Sequence, residues 1–418
     1  MTATDDDVTA LPSLATPEVT EDPFPAYREL RAACPVQRVP ETGVYVLLDH
    51  ADVRDAGMSP DRFSSAPASA RHASDASRAY AAAMAEGGWK RAQTLQRTDP
   101  PVHTRYRRLL ARAFTPKRVG QLTPRIDEVA ALLIDRFGPS GRCEFVRDFA
   151  LPLPGIVIAE QLGLDADDYE TFKRWADSML ILAQRPDISV DEAREWAEIE
   201  LEAQHHLAEM FDARRAEPTD DLISVLVHAH GPDEQPLTVE ELQDLMHQLV
   251  TGGFETTTSA LSKGMWLLLQ HPDQFRTLRE QPELLDNFVE EILRFDSPVQ
   301  GLWRTATCPV DVAGVEIPEG AVVQLRFGAA NRDPSVFDEP ERFDITRGDV
   351  NQHVAFGMGP HFCVGAALAR QELRSSFAAL LDRLDDVEID GELRAPLHER
   401  SAFLRPMREL PLRFTYRG

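Results

Sequence analysis

Phe356-Gly357-Met358-Gly359-Pro360-His361-Phe362-Cys363-Val364-Gly365 stands immediately before a helical run over 366–383. A cysteine at a helix start faces unpaired backbone N–H groups and the positive end of the helix dipole, which favour thiolate over thiol. Gly357, Gly359 and Gly365 let backbone approach a flat cofactor and take torsions that other residues avoid. Phe356 opens the run, and His361 stands beside the sulfur, in reach of an anionic group on a cofactor rim. A structural cysteine in a glycine-rich turn is the bland alternative. Phe, three glycines, His and Cys at this spacing disfavour it.

Outward from this loop, the texture of the chain is mainly helical with a minor β part. Apolar spacing predicts helices over 23–34, 103–114, 124–137, 155–162, 168–183, 191–216, 238–270 and 283–295. Val44–Leu48 is β-rich. After Asp296-Ser297-Pro298, apolar–polar alternation around turn residues over 303–325 predicts a small antiparallel sheet. An irregular stretch covers 328–362, and Leu410–Tyr416 reads as a strand. There is no repeat and no Pro/Gly/Ser linker, so residues 21–418 read as one large domain behind a flexible tail, 1–20.

Composition narrows the function classes. A chain of 418 residues that is 43% hydrophobic can bury a large core. Its net charge of −25 disfavours nucleic acid and anionic membrane as partners. No run of about 18 apolar residues exists, and the N-terminal stretch carries acids and prolines, unlike a signal peptide. The expectation is a cytoplasmic protein. Cys34, Cys143 and Cys308 are scattered and fit buried small hydrophobes better than disulfides.

Three further patterns bear on chemistry. Residues 244–269 form a long helix pattern holding Gly252-Gly253-Phe254-Glu255-Thr256. The two glycines either allow close packing, break the helix, or open a groove. Gly252 and Thr256 lie on one face, and a Thr hydroxyl can bond the carbonyl four residues back and loosen the turn. Glu291 and Arg294 are spaced i, i+3 among Ile292, Leu293 and Phe295, an apolar setting for an ion pair. In the helix after Asp99-Pro100-Pro101, His103 and Arg107 share one face, while Arg105, Arg108 and Arg112 cluster on the opposite one.

The cysteine segment matches F-G-x-G-x-H-x-C-x-G and resembles the haem-binding loop of the cytochrome P-450 monooxygenases. The Gly-Gly-Phe-Glu-Thr run matches that family's A/G-G-x-D/E-T, and the likeness extends from about residue 20 to the end. The resemblance implies a single helical domain with small antiparallel sheets, and haem b between the long helix and the Cys-bearing helix. Cys363 would ligate the iron. Gly252 and Gly253 would leave room for dioxygen, and Glu255 and Thr256 would relay protons. His103, Arg107, Arg304 and His361 would hold the propionates. Arg342 would complete a buried network with Glu291 and Arg294.

The same resemblance points to a substrate pocket with Trp89, Leu95, Leu180, Leu245, Leu249, Val299, Gln300, Leu302 and Phe403, and to hinges at Gly87-Gly88 before Trp89. The implied reaction is hydroxylation or oxidative dealkylation of an apolar small molecule by a monomeric enzyme. Electrons would come from a separate ferredoxin and its reductase, docking on Arg105, Arg108 and Arg112, with Arg370 and Arg374 extending the patch. Two other readings are a peroxide-using or redox-neutral haem-thiolate enzyme, against which Glu255-Thr256 argues, and a non-catalytic haem-binding sensor.

Overall fold

The computed structural model describes residues 12–418 except 15, 68–73, 112, 165–168, 186, 230–234, 394, 396, 400 and 402; at 17, 183 and 184 it describes the backbone alone. Arg112, the side chain of Gln184 and most of the 1–20 tail therefore lie outside the described residues. The tail's end forms a short helix, Pro17–Glu21, capped by the Thr16 hydroxyl. The described strands are β1 (Val36–Arg38), β2 (Tyr45–Leu47), β3 (Phe63–Ser64), β4 (Arg142–Glu144), β5 (Leu302–Ala306), β6 (Val310–Val312), β7 (Val315–Ile317), β8 (Val322–Leu325), β9 (Leu384–Ile389) and β10 (Pro411–Tyr416). Helix dominates and the sheets are small, as expected. The chain's contacts divide into two compact units, each discontinuous in sequence.

The first unit comprises Met1–Ala68, His271–Cys363 and Arg394–Arg405. Its main sheet has the order β1-β2-β8-β5-β3, with β2 and β8 parallel and the other pairs antiparallel. The β-rich 303–325 segment thus splits. Strands β5 and β8 enter this sheet, and β6–β7 form a separate hairpin turning through Ala313 and Gly314, both at positive φ. Leu47, Phe63, Leu325, Phe327 and Met358 share one buried cluster, so the loop before Cys363 is rooted in the sheet's core. Helices His50–Met58 and Pro272–Glu280 were not evident from periodicity.

The second unit comprises Ser69–Gln270, Val364–Leu393 and Pro406–Gly418. Its longest helix, Val239–Gln270, runs unbroken through Gly252-Gly253. Thr238 and Glu241 start it with reciprocal bonds, Glu241 N–H to Thr238 Oγ1 at 3.2 Å and Thr238 N–H to Glu241 Oε2 at 2.8 Å. Ser189 and Glu192 cap Val190–Ala216 in the same way. The helix expected to begin at 124 begins at Pro116, with Thr115 as its cap, and carries Pro124 inside. Helices Asp75–Gly87 and Leu222–Val227 were missed. Ile158, Phe172, Phe211, Leu245 and Phe254 belong to the unit's main core, each contributing about 1.5–3 kcal/mol by burial. Strands β4-β10-β9 close its sheet.

Candidate active site

The cysteine loop is wound on itself and pinned to the first unit. Gly357 N–H bonds Val354 O at 2.8 Å, Phe362 N–H bonds Gly359 O at 3.1 Å, and Cys363 N–H bonds Phe356 O at 2.8 Å. Gly357 and Gly359 take φ of +70° and +61°. Gly365 does not: as N-cap of Ala366–Arg383 its φ is −87°, a torsion any residue adopts, which corrects the expectation of a special backbone angle there. The loop also seats against His50–Met58. A Cβ at Gly359 would stand 2.8 Å from Gly57 O, and one at Gly57 would stand 2.1 Å from Met358 Sδ. Asn331 Oδ1 accepts from Val354 N–H at 2.7 Å. His361 Nε2 lies 2.9 Å from Ser65 Oγ. Cys363 is half-buried and outside any disulfide.

The buried ion network behind the loop has a different third member from the one expected. Arg294 meets Glu291 through two bonds, at 2.7 and 2.9 Å, with both side chains 0% exposed. Its guanidinium also donates to the carbonyls of Asn331, Pro340 and Arg342. The Arg342 side chain itself is 57% exposed and pairs with Glu339 and Asp344. Arg347, 6% exposed, is the arginine beside Glu291, at 3.5 Å. Arg342 enters the network through its carbonyl alone, because the turn Glu339–Arg342 points its side chain to solvent while the chain bends back to bury Arg347.

Other residues of this unit fall into place individually. Arg304, on β5, is buried and donates to Trp303 O at 2.8 Å. Gln300 is occupied as scaffold: its amide donates to Ser297 O at 2.7 Å and accepts from Tyr27 Oη at 3.2 Å. Val299 bridges to Leu404, and Trp303 and Phe403 pack edge to face. Leu302 is partly exposed.

In the second unit, Thr256 Oγ1 donates to Gly252 O at 2.7 Å, the back-bond expected from the spacing. A Cβ at Gly252 would meet nothing within 4 Å, and one at Gly253 only Ile158 Cδ1, so the helix flank beside Glu255 and Thr256 is open. The glycines leave room; they do not break the helix. Glu255 is buried. His103 is also buried, and burial followed by the neighbouring Arg107 charge holds its imidazole below its usual range, against a weaker pull from Asp99. Arg105 is not a spare surface charge, since it pairs with Glu241 at 2.6 Å. Arg108 is exposed. Leu95, Leu180, Leu245 and Leu249 are buried, and Trp89 is half-buried, its backbone N–H donating to Gln204 Oε1 at 2.9 Å.

The cytochrome P-450 family model matches residues 188–413, more than half the chain. The cytochrome P-450 monooxygenase PikC of Streptomyces venezuelae is 36% identical over 94% of this chain and 91% of its own. The chain belongs to the cytochrome P-450 family. The 6-deoxyerythronolide B hydroxylase of Saccharopolyspora erythraea is 35% identical over 97% of this chain and 99% of its own. A solved P-450 of Chondromyces apiculatus superposes with a TM-score of 0.84 at 33% identity, covering 97% of this chain and 99% of that one. Members of the family are monooxygenases that bind haem through a cysteine thiolate, and this P-450 is a haem-thiolate monooxygenase.

The residues of this P-450 fit that cofactor. A half-buried thiol outside any disulfide follows a loop with two left-handed glycines; Arg304 and His361 in the first unit, and His103 and Arg107 in the second, are each donors of the kind a carboxylate takes. The supports that sequence reasoning missed are Gly57, Asn331, Ser65 and Arg347. Only Arg347 carried a local signal, as a second arginine after Pro340-Glu341-Arg342. Among the described helices none is long and apolar enough to cross a membrane.

Proposed function

We propose that this P-450 hydroxylates, or oxidatively dealkylates, an apolar small organic molecule, with Cys363 as iron ligand and a separate ferredoxin and reductase as electron source. A thiolate-ligated haem, when bound, supplies reductive activation of dioxygen. The observation that carries the reading is Thr256 bonded back to Gly252, where the helix flank is open, with the acid Glu255 buried beside it. Thr256 spends its proton on Gly252 O, a bond that weakens the local turn and can be exchanged for one to an incoming acceptor. Glu255, buried one residue earlier, stands next in line as the acid–base group that exchanges protons with Thr256. General acid–base assistance of this kind contributes about 10²–10⁴-fold. His103, kept neutral, would donate a hydrogen bond to a propionate, and Arg107, Arg304 and His361 would add charged or polar donors. Arg108 offers positive charge for an acidic carrier.

Purified holoenzyme, reduced and exposed to carbon monoxide, is expected to show the red-shifted Soret band of a thiolate-ligated haem, and Cys363→His to lack it. Ferredoxin-driven turnover should exceed peroxide-driven turnover, and Thr256→Ala should lose product while oxygen consumption continues. A wild type without the shifted band refutes the ligand assignment. Equal turnover with peroxide refutes the role of Glu255 and Thr256.

A further inference from the structure

One stretch of the long helix carries buried polar atoms that its neighbours do not use. Asp244 is 0% exposed. Its Oδ2 accepts from Thr94 Oγ1 and from Gln248 Nε2, the latter at 2.7 Å, whereas Oδ1 is shut off from solvent and has no partner. His247, three residues on, is in the same position through Nδ1. Its Nε2 lies 3.2 Å from Arg91 Nη1. An arginine only donates, so Nε2 accepts and Nδ1 carries the hydrogen. Burial, then the charges of Arg91 and Arg97, keep the ring neutral. Residues i and i+3 are neighbours on a helix surface. This stretch of the helix therefore carries one unspent acceptor and one unspent donor within a single turn. Leaving both buried and unmade costs more than a single lost bond, and a partner able to do both relieves both.

A hydroxyl is such a group. We propose that Asp244 and His247 form a recognition subsite for a substrate hydroxyl, whose O–H donates to Asp244 Oδ1 while its oxygen accepts from His247 Nδ1–H. An ammonium fits worse: it cannot accept from His247, and Arg91 and Arg97 repel it. The helix also sets a length. Asp244 precedes Gly252 by eight residues and Thr256 by twelve, which is about 12 and about 18 Å of axial rise. The substrate is then an elongated apolar molecule bearing a hydroxyl about 12–18 Å from the carbon oxidised. This length rests on the reading of the Gly252–Thr256 flank as the place of reaction; the hydroxyl preference does not.

Cholestanol, cholestanone and cholestane differ only in what they offer at one end of a rigid apolar body. Titrated into ferric holoenzyme and followed by the spin-state shift of the Soret band, cholestanol is expected to bind about tenfold or more tightly than either analogue. In Asp244→Asn the amide keeps an oxygen for Thr94 and Gln248 and turns the free acceptor into a donor, so preference should pass to cholestanone with cholestane unchanged. If that variant fails to retain haem, the wild-type ranking alone decides. Equal affinity for the three, or binding of none, overturns the subsite. The thiolate Soret signature would survive that result, so it leaves the proposed function standing.

Discussion

Glu372, on the helix after Cys363, offers a quantitative test of packing between that helix and the long one. It is a wholly buried carboxyl whose side chain bonds the Thr257 hydroxyl; burial pushes its pKa from the ordinary 4.5 up to about 8, and the bond to Thr257 works against the rise. The folded protein therefore keeps this proton up to about pH 8, whereas the unfolded chain releases it near 4.5. The sign follows from linkage: where the folded state binds more protons, stability falls as pH rises. The contribution is fully present below pH 4.5 and lost progressively up to about 8. One proton corresponds to about 1.4 kcal/mol per pH unit, so the whole window is worth about 5 kcal/mol. Glu372→Gln keeps the shape and a bond to Thr257 but cannot titrate. The assay is denaturant unfolding of both holoproteins across this range. The wild-type-minus-variant difference should fall by about 1.4 kcal/mol per unit and level off above pH 8. Parallel curves, or a difference that grows with pH, would refute the assignment of a buried neutral acid.

Gly57→Ala drives a methyl into Met358 Sδ and should cost about 1–3 kcal/mol in thermal unfolding together with lost haem retention. Adding Met358→Ala should recover part of that cost. If Gly57→Ala behaves as wild type, the loop is not seated on His50–Met58. Arg347→Ala should destabilise by about 3 kcal/mol or more, because it removes a buried charge beside Glu291 and a donor to several carbonyls, whereas Arg342→Ala should leave stability nearly unchanged. Urea midpoints would show the reverse order if Arg342 were the buried partner. Arg108→Glu should raise the KM for ferredoxin several-fold at low salt and less at high salt, while Arg105→Ala should lower stability through its pair with Glu241. A salt-independent effect at position 108 would place the docking surface elsewhere.

Much of the candidate site was legible before folding because its determinants are local. The loop at 356–363 needs left-handed torsions at two positions, and glycine stands at both. Thr256 and Gly252 meet because four residues make about one turn. The helix expected over 366–383 was found over Ala366–Arg383, where apolar spacing and a preceding glycine agree. Legibility failed where a residue's local signal and its tertiary surroundings diverge. Pro124 looks like a helix start, yet the helix begins at Pro116, where Thr115 supplies the cap. Asp75–Gly87 carries a run of alanines whose spacing marks no face strongly; its buried side, Ala76 and Tyr80, is chosen by Ala193 and Ala197 of another helix.

The sequence by itself determined the thiol at a helix start, the glycine–acid–alcohol run and the mainly helical class. Backbone torsions and i, i+4 bonds depend on residue type and short spacing alone, so these can be read from the order of residues. Only the tertiary structure decided that Arg347 and not Arg342 is buried beside the Glu291–Arg294 pair, that Met358 and Gly57 interlock, and that Gln300 is spent on Tyr27. Arginines a few residues apart in one irregular stretch are locally equivalent. Which of them is buried depends on where the rest of the chain places a carboxylate, and desolvation makes that choice once the carboxylate is enclosed.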